Sequence, residues 1–161
     1  MASYHSLITL ALTTALIGGC IASDDDDDLN ARHYTLHTAT DTVSSEGVKT
    51  TRVLDNSWDY RSELSDYSND SAASVDFNDY KVLLIDLGLR PSGGYAIRFD
   101  DVREEDDYVR VEYTLLTPSS DINCHYTSGY TNPFVFEAIE TRKEILVSES
   151  IGTNSCPPDT Q

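Results

Sequence analysis

Apolar and polar residues alternate along much of the chain, which is the pattern of β-strands that bury one face. The first two such runs are residues 33–38 (His-Tyr-Thr-Leu-His-Thr) and 48–54 (Val-Lys-Thr-Thr-Arg-Val-Leu). Residues 44–47 carry the Ser and Gly residues of a turn between them. Residues 95–100 and 108–115 alternate cleanly as well, so the pattern predicts four half-buried strands.

Three further apolar runs complete the set of predicted strands. Residues 82–85 (Val-Leu-Leu-Ile) are apolar at every position, which predicts a central strand that is buried on both faces. A turn is predicted after it at residues 91–94 (Pro-Ser-Gly-Gly). Residues 134–139 and 144–147 are separated by Thr-Arg-Lys at 141–143, and this spacing predicts a hairpin.

One helix is predicted between the second and third strands. Asn56 is a good N-cap residue and Asp59 follows it in the first turn, so a short helix is expected over residues 58–64. Residues 65–75 then form a polar loop. Seven strand-like runs, one short helix and no internal repeat predict a single mainly-β domain over 32–161, an antiparallel, immunoglobulin-like β-sandwich.

Charge narrows the classes of partner. The 161 residues include 11 basic and 28 acidic side chains, for a net charge of −17. This field repels nucleic acid and anionic bilayer surfaces, so neither is expected to be held electrostatically. Hydrophobic residues make up 39%, which is enough for a packed core. The acidity fits an extracytoplasmic protein, a saline habitat or a cationic ligand.

The start of the chain predicts export. Residues 7–17 form an uncharged apolar run that would span about 16 Å as a helix, roughly half of a bilayer core, and is therefore too short to cross a membrane. A short apolar run that ends in small residues is typical of an export signal. Leu-Ile-Gly-Gly-Cys at 16–20 resembles a bacterial lipobox, which predicts a signal peptide over 1–19 and a lipidated Cys20. The alternative is a plain secretory signal with Cys20 incidental.

The residues after Cys20 predict where the domain is held. Ile21, rather than Asp, follows Cys20, which is compatible with an outer-membrane location in a Gram-negative host. Five consecutive Asp residues at 24–28 repel one another and stay extended, so residues 20–31 are interpreted as the lipid anchor and an acidic tether. A straight Asp run does not wrap oxygens around Ca²⁺, so calcium binding there is disfavoured.

The other two cysteines predict a disulfide. Cys124 and Cys156 remain once Cys20 carries lipid, and an even pair in an exported chain is expected to be oxidised. Two free thiols are the alternative. Catalysis by Cys124 with His125 is disfavoured, because adjacent strand residues point to opposite faces.

No motif predicts an enzyme. The sequence contains no G-x-S-x-G, H-E-x-x-H, Walker or C-x-x-C pattern, so neither catalytic residues nor a cofactor are expected. His33 and His37 would share a strand face about 13 Å apart, too far to hold one metal ion, and are interpreted as surface histidines. The acids at 100–101 and 104–107 are interpreted as a solvated turn, with a weak Ca²⁺ site as the alternative.

The central segment, residues 75–97, carries a resemblance. It begins with Val-Asp-Phe at 75–77, continues through the apolar strand at 82–85 and ends in Gly-Leu-Arg-Pro-Ser-Gly-Gly-Tyr at 88–95. A V-D-F start, an apolar strand and G-x-R-P-[ST]-G-G-Y are the hallmarks of the PrcB C-terminal domain family, which this segment resembles.

Later features agree with that resemblance. The family's alternating strand, Cys-bearing loop and Asn-Pro-aromatic hairpin are matched by 108–115, Cys124 and 132–134. The resemblance covers roughly residues 45–150 and implies a binding role. The family takes its name from a lipoprotein subunit of a surface protease complex, so the expected partner is an envelope or secreted protein such as a protease. The alternative is a structural or adhesive envelope lipoprotein.

The glycine-rich loop is the predicted partner-binding segment. Its proline fixes φ, and its two glycines leave the backbone bare for close approach. It is also similar to the N-P-T-T-G-Y loop of chagasin-type cysteine-protease inhibitors, which suggests inhibition as a special case. The alternative is a structural turn whose aromatic residue packs in the core. The loop residues are Arg90, Pro91, Ser92, Gly93, Gly94 and Tyr95.

Overall fold

A computed structural model describes residues 30–156 of the chain. The predicted signal peptide (1–19), Cys20 and nearly all of the acidic tether lie outside these described residues. The elements are β1 (His33–Ala39), β2 (Thr50–Leu54), α1 (Ser57–Tyr67), β3 (Tyr80–Asp86), β4 (Arg90–Ser92), β5 (Ala96–Glu104), β6 (Tyr108–Thr117), β7 (Ser128–Thr131), β8 (Phe134–Glu140) and β9 (Glu144–Thr153).

The strands form two main sheets and a short ribbon. Antiparallel pairs build a four-stranded sheet in the order β1-β8-β3-β2, and β5, β6 and β9 build a three-stranded sheet with β6 in the middle. Strands β4 and β7 pair as a two-stranded ribbon. A core of side chains such as Leu83, Val111 and Ile139 fills the space between the main sheets. The predicted mainly-β sandwich with one short helix is confirmed.

The predicted hairpin between the last two strands is wrong. Strand β8 has β1 on one edge and β3 on the other, so no edge remains for β9. Strand β9 instead joins the opposite sheet, where it runs parallel to β6 from Glu144 to Thr153. Residues 141–143 therefore cross between the sheets, and the sandwich departs from the purely antiparallel arrangement that was predicted.

A second core explains why residues 82–85 are apolar at every position. Helix α1 packs on the outer face of the four-stranded sheet, where Tyr60 and Tyr67 contact the rings of Phe134 and Phe136. Strands β3 and β8 are thus covered on both faces, and the side chains at 82–85 are fully buried.

The helix begins as predicted but ends later. The Asn56 side chain accepts hydrogen bonds from the backbone N–H groups of Trp58 (3.1 Å) and Asp59 (2.9 Å), which confirms the N-cap. The helix extends to Tyr67, three residues into the segment that was predicted to be a loop. Tyr67 is buried against the sheet, so tertiary packing extends the helix beyond its polar sequence.

A β-bulge separates the two histidines of β1. The register with β8 shifts between Thr35 and His37, so His37 does not share a face with His33 as the sequence predicts. His33 lies 2.7 Å from a buried Glu137 carboxylate oxygen (Nδ1 to Oε1) on the inter-sheet side, whereas His37 stacks on Phe134 on the helix side. One inserted residue turned the second imidazole to the other face.

We expect the fold to weaken at alkaline pH. Burial and then the Asp86 carboxylate raise the pKa of Tyr67, and burial and then Glu149 raise the pKa of Tyr113. In the unfolded chain both hydroxyls ionise near pH 10, whereas the folded state holds them protonated. The contribution of these two tyrosines to the free energy of unfolding is therefore fully present below about pH 10. Above that pH it falls by up to about 1.4 kcal/mol per pH unit for each tyrosine.

Urea unfolding measured between about pH 8 and pH 11 tests this expectation. Tyr113→Phe should reduce the loss between these limits relative to its own stability at neutral pH. An equal loss in the wild type and the variant would contradict the assignment to Tyr113.

Candidate partner-binding loops

The predicted binding loop forms half of the β4–β7 ribbon. Arg90 pairs with Thr131 and Ser92 with Ser128, with a register shift between the pairs. The Thr131 hydroxyl also donates to the Ser92 carbonyl at 2.9 Å. The predicted turn at 91–94 is therefore a short strand followed by two glycines, held against a partner strand.

Arg90 and Tyr95 point towards the fold. The Arg90 guanidinium donates to the Leu87 carbonyl at 2.5 Å and lies 5.4 Å from the centre of the Tyr95 ring, a cation–π contact. Tyr95 is half-buried and packs against the core between the sheets. These contacts stabilise the ribbon and favour the structural interpretation for both residues.

The two glycines make room for a neighbouring segment of the same chain. A Cβ at Gly93 would lie 2.6 Å from the Thr127 hydroxyl, and one at Gly94 would lie 2.4 Å from the Tyr126 ring. Gly94 also has φ +87°, a conformation that L-residues rarely adopt. The backbone is bare here because residues 126–127 occupy the space.

A disulfide fixes that covering segment. The predicted Cys124–Cys156 bond is present, with the two Cα atoms 5.0 Å apart. Near it, the Tyr126 hydroxyl accepts from the Ser119 N–H at 3.0 Å. The Asn154 amide donates to the Gly94 carbonyl at 3.0 Å. The loop before β7 and the segment after β9 are thereby joined over the glycines.

We expect Gly94→Ala to disturb this end of the sandwich. The methyl group would meet the Tyr126 ring, and the positive φ would add strain of about 1 kcal/mol. Gly129→Ala is the matched control, because Gly129 also has a positive φ (+118°) but its Cβ would meet no atom within 4 Å. In urea unfolding, Gly94→Ala should lose at least about 1 kcal/mol more than the control. Equal losses would mean that the Tyr126 contact is unimportant.

Exposed apolar side chains surround the ribbon. Val48 is 61% exposed, Leu89 58% and Tyr130 73%. Pro91, two residues after Leu89, is exposed as well. The Leu89 N–H donates to the Gly47 carbonyl at 2.8 Å, which brings the segments of Val48 and Leu89 together. The β4–β7 pairing brings those of Pro91 and Tyr130 together. We call Val48, Leu89, Pro91 and Tyr130 the apolar loop surface.

Sequence reasoning found only Pro91 among these four residues. Val48 was assigned to a strand, Leu89 was the variable position of the family signature, and Tyr130 lay in no predicted element. Each of the other three residues directly follows a glycine: Val48 follows Gly47, Leu89 follows Gly88 and Tyr130 follows Gly129. This position next to a glycine was a sequence signal of exposure in a turn.

A buried carboxylate is hydrogen-bonded to all three chain segments that carry the apolar loop surface. Asp86, at the end of β3, is fully buried. It accepts from the Tyr67 hydroxyl (2.8 Å) and the Gly88 N–H (2.7 Å). It also accepts from the Asn132 amide (3.0 Å) and the Ser45 hydroxyl (3.2 Å). One side chain thus ties the end of α1 to the three chain segments that carry the apolar loop surface.

The acids of the β5–β6 connection are engaged by basic side chains. Hydrogen bonds from Thr114 and then Arg98 hold the pKa of Asp100 below its usual range. Asp101 lies within 4 Å of Arg103 and Arg110, in part because β5 continues through this region to Glu104. Only residues 105–107 form the predicted turn.

Residues 30–156 contain neither a cluster of metal ligands nor a membrane-spanning helix. No three His, Cys, Asp or Glu side chains are grouped to hold a metal ion in this part of the chain. Over the same residues, no helix has the length and apolar character needed to cross a membrane.

Part of the chain matches the model of a known domain family. The model of the family described as PrcB C-terminal matches residues 81–136, from β3 to the first half of β8. This match confirms the resemblance found in the sequence and includes the whole Gly-Leu-Arg-Pro-Ser-Gly-Gly-Tyr signature. It is narrower than the predicted 45–150 and begins after Val-Asp-Phe at 75–77. Neither the curated proteins nor the solved structures gave a significant match.

Proposed function

We propose that this chain is a lipid-anchored, non-enzymatic protein of the cell envelope whose PrcB-like domain binds a partner protein through the apolar loop surface. The partner in this proposal is an extracytoplasmic protease, which the domain retains or stabilises at the membrane. The exposure of Val48, Leu89 and Tyr130 around one ribbon carries the proposal. Apolar side chains grouped in this way are typical of protein-binding surfaces.

The chemistry of these residues suits a protein partner. Tyrosine contributes a large contact area at low entropic cost and is enriched where interfaces bind most strongly. The disulfide and the Asp86 hydrogen bonds fix the loops in place. Binding would therefore cost little conformational entropy in these loops. The inward-facing Arg90, Gly93, Gly94 and Tyr95 would then support the surface, while Pro91 and its neighbours touch the partner.

The test is affinity capture of the tagged, full-length lipoprotein from detergent-solubilised native membranes, followed by mass spectrometry. We expect a stoichiometric protease with the wild type and its loss with the double variant Leu89→Ser, Tyr130→Ser. Ile151→Ser is the matched control, because Ile151 on β9 is 73% exposed, as Tyr130 is. Assays of the captured protease with and without the lipoprotein distinguish stabilisation from chagasin-like inhibition.

Two outcomes would overturn the proposal. Recovery of bulk envelope proteins alone would favour the structural or adhesive alternative. A captured protease that remains with the double variant would remove the apolar loop surface as its binding site.

The anchor has its own test. Cys20→Ser is expected to move the protein from the membrane fraction to the soluble fraction after cell lysis, because no acyl chain would be attached. A protein that stays with the membranes in this variant would contradict anchoring through Cys20.

A further inference from the structure

Strand β2 forms one outer edge of the four-stranded sheet. It pairs with β3 residue for residue from Thr50 to Leu54, without a register shift. The edge strands β1 and β5 are each interrupted by a β-bulge, a feature that turns an edge away from further pairing. The fourth edge strand, β9, also pairs without a register shift, so the choice of β2 rests on the groove beside it.

A groove runs beside this edge. Helix α1 packs on the sheet face next to β2 and leaves two cavities of about 460 and 450 Å³ between them. The Arg52–Glu63 ion pair (2.8 Å) lines both cavities and lies between them. We call these two cavities together the β2 groove.

The two halves of the β2 groove differ in chemistry. Trp58, 75% exposed, lines the second cavity together with the exposed Val53 and the buried Leu54. Asp59 and Ser62 also line this cavity, on the side of the helix. Glu46 and Asp66 line the first cavity in addition to the paired Arg52 and Glu63, so that cavity has an excess of two negative charges. An apolar side chain fits one half and a basic side chain fits the other.

We propose that β2 binds an extended, basic peptide segment of a partner protein as an additional strand. The segment's backbone hydrogen-bonds to the outer edge of β2, as in other β-augmentation complexes. One of its apolar side chains lies against Trp58. A Lys or Arg side chain two or four residues away, on the same face of the segment, lies near Glu46 and Asp66. The five residues of β2 match a segment of about five residues, roughly 17 Å long. This inference goes beyond the proposed function. The β2 groove adjoins the apolar loop surface at Val48, which lines the first cavity, but the inference requires neither Leu89 nor Tyr130.

Trp58 provides the reporter, because it is the only tryptophan in the chain. The probe is the capped peptide Lys-Thr-Lys-Thr-Val-Thr, whose Lys and Val side chains share one face of a strand. It is titrated into the protein while tryptophan emission is recorded. We expect saturable binding with a shift of the emission to shorter wavelength as Trp58 leaves water. The same peptide with Glu in place of Lys should not bind, and salt should weaken the binding of the basic peptide.

Two controls separate backbone pairing from charge attraction. Methylation of alternate backbone nitrogens keeps the charges of the peptide but removes its donors along one edge, and should abolish binding. Glu46→Lys should weaken binding about tenfold or more. Glu144→Lys makes the same charge change at an exposed position on β9 and should leave the affinity unchanged.

The outcomes are distinguishable from those of the proposed function. Binding that survives in Leu89→Ser, Tyr130→Ser but fails in Glu46→Lys supports a separate site at β2. Equal binding of the methylated peptide, or equal weakening by Glu144→Lys, would show non-specific charge attraction and overturn the proposal. Absence of any emission shift would overturn it as well.

Discussion

Replacement of Asp86 by alanine is expected to lower the free energy of unfolding by at least about 3 kcal/mol. Four groups donate to this fully buried carboxylate: the Tyr67 and Ser45 hydroxyls, the Gly88 N–H and the Asn132 amide. Each buried donor left without an acceptor costs about 1–3 kcal/mol, and the short alanine side chain replaces none of these hydrogen bonds. The loops carrying Val48, Leu89 and Tyr130 should loosen together.

Urea unfolding followed by circular dichroism measures this loss. Tyr67→Phe is the graded control, because it removes one donor, keeps the ring between Phe134 and Phe136, and should cost about 1 kcal/mol. If Asp86→Ala does not fold, amide hydrogen exchange in Tyr67→Phe still reports on the loops. A loss for Asp86→Ala no larger than that for Tyr67→Phe would contradict the role of Asp86 as a shared acceptor.

The second large effect concerns the disulfide. The double variant Cys124→Ser, Cys156→Ser is expected to lose about 2–4 kcal/mol, because the bond joins residues 32 positions apart and restricts the unfolded chain. The native state should change locally too. The segment that contains Tyr126 and Thr127 would no longer be tied to the end of the chain, so the glycines of the β4–β7 ribbon would lose their cover.

Hydrogen exchange and limited proteolysis at residues 118–131 measure the local part, and urea unfolding measures the global part. Wild-type protein treated with a reductant should reproduce both changes. Unchanged protection at 118–131 in the variant would mean that the hydrogen bonds of Tyr126 and Asn154 hold the segment without the disulfide.

Local patterns predicted the individual elements well. Alternation located β1, β2, β5 and β6, and the continuous apolar run at 82–85 located a central strand. The Asn56 N-cap could be predicted because the backbone N–H groups that donate to its side chain lie only two and three residues away. The disulfide was predicted from the even number of cysteines that remain besides Cys20 and from the predicted export signal, and both are read directly from the sequence.

The pairing of the strands and the orientation of their side chains could not be predicted in this way. The spacing of residues 134–147 is equally compatible with a hairpin and with a crossing between sheets. The choice depended on β1 and β3, which occupy both edges of β8. The bulge in β1 reversed His37 without any change in composition. The loop at 90–95 was chosen for its bare backbone, but Tyr126, more than 30 residues away, fills that space.

Local sequence patterns were enough to predict a mainly-β domain with one capped helix, a PrcB-like signature and a pair of cysteines that form a disulfide. These properties are local or compositional, so one chain segment is enough to carry each of them. Which apolar residues stay exposed, and that β2 lies at an edge of its sheet, became evident only from the folded structure. Exposure and pairing are properties of segments brought together from distant parts of the chain, as β1 and β8 are. The surfaces proposed for binding therefore emerge only when the sheets are assembled.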